Sequence, residues 1–449
     1  MTAPKREILG WMFYDWASQP FATLLLTFIF GPYFASAVMD DPIVAQRYWG
    51  WMLATSGGII AILAPMIGAL VDRSGASHVW VLVFSLLYVS SATALWWAVP
   101  NSEQILPILI VFALGLVGVE FATVITNAML PDLGDRSEIG LISGQGWAFG
   151  YLGGLAALVI LLLFFAEGES GKTLTGQDPL FGLDAAEREG TRIVGPFTAV
   201  WYALFMIPFF CWTPARRAVS TTAEGLAGLA RTLASLPRRQ SLCAYLLASM
   251  FYRDALNGLF AFGGIYAVGV LQWPITMVGA FGLAGLVFGA VFAWLGGFAD
   301  RCFGPWPVIM VAVILLALLS TTLATISRDT VLLVAVDPAS SLPDMAFFLC
   351  GCLIGAVGGM IQAASRTMMV HQASRGRMAE AFGLYTLAGK ATAFLAPLLI
   401  AWTTGLFGSQ QIGIVPIVGL FVIAAALMLA VRRNRSPGTE SHSAGRGMD

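Results

Sequence analysis

Gly68-Ala-Leu-Val-Asp72-Arg73-Ser-Gly75 closes one long apolar run, and Gly296-Gly-Phe-Ala-Asp300-Arg301-Cys-Phe-Gly304 closes another far downstream. The string Met12-Phe13-Tyr14 also returns, as Met250-Phe251-Tyr252. The two Asp-Arg pairs stand 228 positions apart and the two Met-Phe-Tyr strings 238, a ten-residue difference that a longer first outer loop around Asp40-Asp41-Pro42 accounts for. A membrane unit written twice in one chain, in the same orientation, is the mark of a carrier whose solute site lies between its two halves.

The bulk composition agrees. Of 449 residues, 58% are hydrophobic and 11% charged, against about a quarter charged in soluble domains. Mean hydropathy is +0.80, with repeated uncharged runs of about 20 residues. These features exclude a soluble protein and predict a polytopic protein partnered by the lipid bilayer. Net charge is −1, so nucleic acid is not an expected partner. Cys211, Cys243, Cys302, Cys350 and Cys352 form no CxxC or Cys/His cluster and read as free apolar thiols. With His78, His371 and His442 the only histidines, and no HExxH, GxSxG or phosphate-binding loop, no metal site, cofactor or enzyme chemistry is expected. Lys5 and Arg6 before an apolar run, with Ala35-Ser36-Ala37 after it, imitate a signal peptide. The run is too long for one and holds Asp15, so it reads as an uncleaved first helix.

The membrane segments must be helices, because the alternation of a membrane barrel is absent. Twelve are expected, over 9–37, 48–71, 78–99, 105–130, 141–166, 196–213, 241–270, 274–299, 306–327, 344–368, 379–403 and 411–431. If both termini are cytoplasmic, the inner side collects 17 Lys/Arg and the outer side five, with Arg253 and Lys390 left inside helices; this asymmetry sets the orientation. The expected organisation is a six-helix bundle over 1–213, a basic cytoplasmic linker over 214–240, a second bundle over 241–431 and a disordered tail over 432–449.

Asp72 and Arg73, like Asp300 and Arg301, fall at cytoplasmic turns. There a carboxylate can meet the N-terminal dipole of a neighbouring helix and the Arg a partner acid, forming a latch that holds one state and breaks in the other. Gly68 permits close helix approach. Further small-residue stripes run through Gly146, Gly150 and Gly154, through Gly282, Gly285 and Gly289, and through Gly351, Gly355 and Gly359, suited to backbone-to-backbone packing that still slides.

The duplicated Gly-x-x-x-Asp-Arg motif resembles the signature of the major facilitator superfamily, a likeness that covers residues 5–432. Tyr14-Asp15-Trp16-Ala17, Asn127-Ala-Met-Leu-Pro131-Asp132-Leu133 and Ser143-Gly144-Gln145-Gly146-Trp147-Ala148-Phe149-Gly150-Tyr151-Leu152-Gly153-Gly154 resemble more closely the branch of autophagy-related vacuolar amino-acid effluxers and their bacterial relatives. The resemblance implies an all-α fold of twelve transmembrane helices in two pseudo-symmetric six-helix bundles. It also implies a central cavity lined by helices 1, 4, 7 and 10, contact between helices 5 and 8 across the halves, and release of amino acids in the fungal members.

Charges within the spans are functional candidates, since each costs about 2.5–3.5 kcal/mol to insert. They are Asp15, Glu120, Arg253, Asp254 and Lys390. Arg253 and Asp254 are neighbours about 100° apart on a helix, so Arg253 is expected to reach Glu120 or Asp15 across the cavity. Three acids against two bases leave one carboxylate free to carry a proton, assigned to Glu120 or Asp254, with Asp15 a further coupling candidate. Tyr14, Asp15, Gln19, Glu120, Asn127, Tyr252, Arg253, Asn257, Gln362 and Lys390 are the candidate solute ligands. Arg366 is expected to snorkel at a helix end. The resulting expectation is a monomeric, proton-coupled secondary transporter of a small organic solute, such as an amino acid, in a bacterial plasma membrane. The competing classes are a non-transporting receptor or assembly factor of the same fold, and a lipid or pigment carrier.

Overall fold

The computed structural model describes residues 3–39, 42–168, 170–214, 236–273, 275–337 and 339–432. Most of the expected linker, the expected tail beyond residue 432, and Asp40 and Asp41 lie outside the described residues. In hydrocarbon every backbone amide needs an internal partner, and apolar runs of this length meet that demand as helices. Among the described residues twelve helices result. The first half holds α1 (Lys5–Val38), α2 (Pro42–Ser74), α3 (Ser77–Ala94), α4 (Ile105–Ala128), α5 (Ile139–Phe164) and α6 (Glu189–Trp212). The second holds α7 (Gln240–Gly269), α8 (Ile275–Phe303), α9 (Pro305–Ala324), α10 (Leu342–Gln372), α11 (Met378–Phe407) and α12 (Gln410–Leu429). Eleven are long and apolar enough to cross a membrane. The remaining one, α7, is 30 residues long and carries Arg253 and Asp254 at its middle.

The helix pairings repeat. In the first half α3 packs on α4 and α6; in the second α9 packs on α10 and α12. A matched pair of tyrosines ties each half together. The Tyr14 hydroxyl meets Thr123 Oγ1 at 2.7 Å, and the Tyr252 hydroxyl meets Ser365 Oγ at 2.7 Å. The recurring Met-Phe-Tyr string is thus a recurring helix–helix fastening.

Among the described residues α1, α6 and α11 depart from regular winding, and the breaks in α1 and α11 bear on the site. Beyond Pro20, α1 widens into a π-helical stretch over Phe21–Phe28, since proline removes a ladder hydrogen bond and crowds the preceding turn. In α11 the helix stops at Ala391 and restarts at Leu395.

Both described chain ends lie at one face of the bundle, here the terminal face. Ala3 N donates to the Leu133 carbonyl, and Arg432 N to Ser241 Oγ. At this face the halves cross closely in two places, α2 on α11 and α8 on α5. A Cβ at Gly68 would overlap the Ala379 carbonyl, and one at Gly144 would come within 2.6 Å of Gly297 Cα. The longer glycine stripe behaves otherwise. Gly146, Gly150 and Gly154 pack on Asp15, Gln19 and Thr23 of α1, within the first half, and Gly285 packs on Gly355 of α10, within the second. The closest part of the contact between α5 and α8 therefore runs through Gly140, Gly144 and Gly297, with Gly289 against Tyr151 farther along, and not through Gly146, Gly150 and Gly154. The reason is register: the face presented to α1 cannot also face α8.

Candidate functional site

Near the middle of α1, α4, α5, α7, α10 and α11 lies a cavity of about 260 Å³. Its wall takes Asp15, Ser18 and Gln19 from α1, Glu120, Thr123 and Asn127 from α4, Trp147 from α5, Arg253 from α7, Gln362 and Arg366 from α10, and Tyr385 and Thr386 from α11. The expected four helices all contribute, and α5 and α11 join them. A larger hollow of about 480 Å³ lies under the loop following α5, beside Glu167, Lys172 and Arg188. It holds none of the charged groups within the spans.

Among the described residues two ion pairs cross between the halves at the cavity. Arg366 donates to both Asp15 oxygens, at 2.9 and 3.2 Å, and lies between the rings of Trp11 and Trp147, 5.1 and 5.2 Å from their centroids. Its side chain is 5% exposed and that of Asp15 13%. A bidentate guanidinium sealed between aromatic faces is a strong, geometrically specific contact. The second pair is Lys390 Nζ to Glu120 Oε1 at 2.8 Å, with both side chains about a quarter exposed. A neutral bridge joins the halves as well, Gln362 Nε2 donating to the Tyr151 hydroxyl at 2.9 Å.

These contacts correct several sequence expectations. Arg253 meets neither Glu120 nor Asp15 as a salt-bridge partner. It donates to the Tyr385 carbonyl at 2.9 Å, lies 4.3 Å from the centroid of that ring, and fills space left by the missing side chain of Gly389. Arg366 does not snorkel; it is a buried cavity residue. Its position was recoverable, since it lies one turn beyond Gln362 on the same helical face. Asp254 does not face the cavity. It is 1% exposed, and its Oδ2 accepts from Ala396 N at 3.0 Å, satisfying an amide freed by the break in α11. Moving Asp254 out and Arg366 in reverses the charge count: two acids, Asp15 and Glu120, stand among three bases, Arg253, Arg366 and Lys390.

Other candidates fall outside the wall. Tyr14 and Tyr252 are buried with their hydroxyls committed to packing. Asn257 is exposed one turn from Arg253 and does not line the cavity. Lys390 contributes through Glu120. Trp147, Tyr385 and Tyr151 were not singled out, because aromatic residues in apolar helices carry no local sign of which way they face.

The terminal face is held by the two motif aspartates. Asp72 accepts from Ala379 N at 3.2 Å and Glu380 N at 2.9 Å, capping the first turn of α11 in the opposite half. Asp300, 4% exposed, lies against Gly140 at the start of α5, again in the opposite half, within hydrogen-bonding reach of Thr367. Each half therefore places a carboxylate at a helix N-terminus of the other. Arg73 and Arg301 are exposed, and among the described residues neither makes an ion pair; of the two Asp-Arg pairs it is the aspartates that reach the opposite half.

Comparison with known proteins is consistent with this geometry. The family model described as "Vacuole effluxer Atg22 like" matches residues 135–440. The uncharacterized MFS-type transporter YxiO of Bacillus subtilis (strain 168) is 24% identical over 441 residues, covering 95% of each chain. Among solved structures, the major facilitator superfamily transporter FucP in the outward conformation superposes with a TM-score of 0.69 at 14% identity, over 95% of this chain and 98% of that one. The human organic anion transporter MFSD10 (TETRAN) does so with 0.68 at 16% identity, over 95% and 100%.

Proposed function

Because the chain belongs to the Atg22-like vacuole effluxer family of the major facilitator superfamily, we propose that it carries a small organic solute bearing a carboxylate, a class that includes amino acids, by alternating access. The observation that carries this proposal is a mid-bundle cavity built from both halves and crossed by two inter-half ion pairs. Rocking the halves apart at the terminal face must break the Asp72 cap, part Asp300 from Gly140 and separate the α2–α11 and α5–α8 crossings. The solute then passes between a state closed at that face and one open to it.

The excess of Lys and Arg assigned to the terminal side supports a cytoplasmic placement for it, in the plasma membrane of a bacterium. The cavity lies between the two halves of one chain, and the transporter is proposed to act as a monomer. Glu120 is the favoured proton carrier: its carboxylate borders the cavity, and a proton on it would release Lys390 and loosen one inter-half bridge. Asp15 is held more tightly, by two hydrogen bonds, and Asp254 is set apart behind α7, so both are weaker candidates. Gln19, Asn127 and Gln362 offer neutral hydrogen-bonding groups to the body of the solute. The charged groups on the wall argue against a lipid or pigment cargo, which a wholly apolar chamber would suit better.

Purified protein in proteoliposomes with an imposed pH gradient provides the test. Wild type is expected to accumulate solute, Glu120→Gln to exchange it without accumulation, and Asp254→Asn to retain coupling. Full coupling in Glu120→Gln would remove Glu120 from the proposal; absence of flux for every solute tried would remove transport itself.

A further inference from the structure

The pseudo-twofold relation between the halves exposes a missing partner. Residues of α1 map to α7 with an offset of 238, as the Met-Phe-Tyr strings establish, so Asp15 corresponds to Arg253. Residues of α4 map to α10 with an offset of 242, as the matched Tyr14–Thr123 and Tyr252–Ser365 contacts establish, so Val124 corresponds to Arg366. In the first half, Asp15 has Arg366 to answer it across the cavity. In the second, Arg253 stands where Asp15 would be, and the answering position is an apolar valine.

Arg253 is consequently a cation with no acid in ion-pair contact. Its guanidinium carries five N–H donors. One reaches the Tyr385 carbonyl, and among the described residues no carboxylate lies within ion-pair distance of it. Both acids of the cavity are already engaged, Asp15 by Arg366 and Glu120 by Lys390. The chamber therefore has an unmet demand for negative charge and none for positive. An unpaired charge away from bulk water is costly, and an anion placed beside it recovers that cost.

We infer that the transported solute bears net negative charge, with its carboxylate at Arg253 in the place of the absent acid. The inference rests on the transport function proposed above and narrows its substrate class: organic anions are favoured over zwitterions, whose ammonium would have to displace Lys390 from Glu120. At about 30 Å³ per water molecule the cavity holds roughly nine waters, or a solute of roughly ten non-hydrogen atoms. The rings of Trp147 and Tyr385 on the wall provide apolar surface for its body.

Ligand sets that share one apolar body separate the charge types. The full-length chain in nanodiscs is titrated with valine, 3-methyl-2-oxobutanoate and isobutylamine, and with phenylalanine, phenylpyruvate and phenethylamine, binding being read by tryptophan fluorescence and thermal shift. The keto acids are expected to bind most tightly and the amines least. Arg253→Gln should weaken keto-acid binding by roughly ten- to a hundredfold, as loss of a charged hydrogen-bonding partner does. Arg253→Lys, which keeps the charge, should retain part of the affinity and guards against misfolding of the neutral variant. Tighter binding of the amino acids or amines, unchanged keto-acid affinity in Arg253→Gln, or no binding of any of the six would overturn the inference. If proteoliposomes accumulate the amino acids and not the keto acids, transport stands and the anion preference falls. If keto acids bind and nothing crosses, the anion site stands and transport falls.

Discussion

The two halves differ most where they matter most. Their scaffolding is duplicated: Tyr14 on Thr123 is matched by Tyr252 on Ser365, and Asp72 at the start of α11 by Asp300 at the start of α5. Their cavity faces are not. The charged bridge Glu120–Lys390 has as its counterpart the neutral bridge Gln362–Tyr151, and the satisfied Asp15–Arg366 pair has as its counterpart the unanswered Arg253. Contacts that hold a helix bundle can be repeated without loss. A solute has no twofold symmetry, so the walls that recognise it must diverge.

The largest effect is expected from breaking the best-sealed asymmetric contact. Asp15→Asn leaves Arg366 buried without its counter-charge, which should cost about 3–5 kcal/mol of stability and abolish flux. The double variant Asp15→Leu/Arg366→Met should regain most of the stability but not the flux, as read by thermal unfolding and by uptake. If the double variant transports, the pair is mere scaffold and belongs with the duplicated set.

Next in size is the backbone crossing shared by both halves. Gly68→Val puts atoms where the Ala379 carbonyl lies, so the terminal face can no longer close. Solute flux should fall more than about tenfold, since a misfit at a packed crossing costs typically 1–3 kcal/mol in the state that needs it. Spin-label distances between α2 and α11 should lengthen. Unchanged distances would mean that this crossing is not part of the cycle.

A smaller effect tests whether the two motif aspartates are equivalent. Asp72 caps two amides, and Asp72→Asn should cost about 1 kcal/mol. Asp300 is buried with Oδ2 lacking a hydrogen-bond partner, so Asp300→Asn should be neutral or stabilising in the same unfolding assay. Equal losses in both would restore the symmetry that the geometry breaks. The smallest change in stability, within about 1 kcal/mol, is expected when Glu120→Gln is combined with Lys390→Tyr, which rewrites the part-exposed charged bridge as the neutral one opposite. Its signature should lie in coupling: exchange persists while accumulation driven by a pH gradient is lost.

Much of the architecture was legible from local pattern. The apolar runs, the paired Asp-Arg turns and the repeated Met-Phe-Tyr string suffice for twelve helices in two matched bundles, because membrane helices are dictated by composition along the chain. The site was legible only in part. Asp15, Gln19, Glu120, Asn127, Arg253 and Gln362 stand on the cavity wall, whereas Asp254, adjacent to Arg253 in sequence, turns some 100° away and caps the broken α11 instead. Arg366 reads as a helix-end residue when depth is taken from the ends of an apolar run; its burial follows from the face it shares with Gln362.

What the chain determined by itself is the number of helices, the doubling and the inventory of charges within the membrane, since each follows from the cost of placing a given residue type in hydrocarbon. Which charge answers which was decided only by tertiary structure. Partners such as Asp15 and Arg366 are 351 positions apart, and their meeting depends on the rotation of helices about their own axes, which packing against neighbours sets and no local pattern encodes.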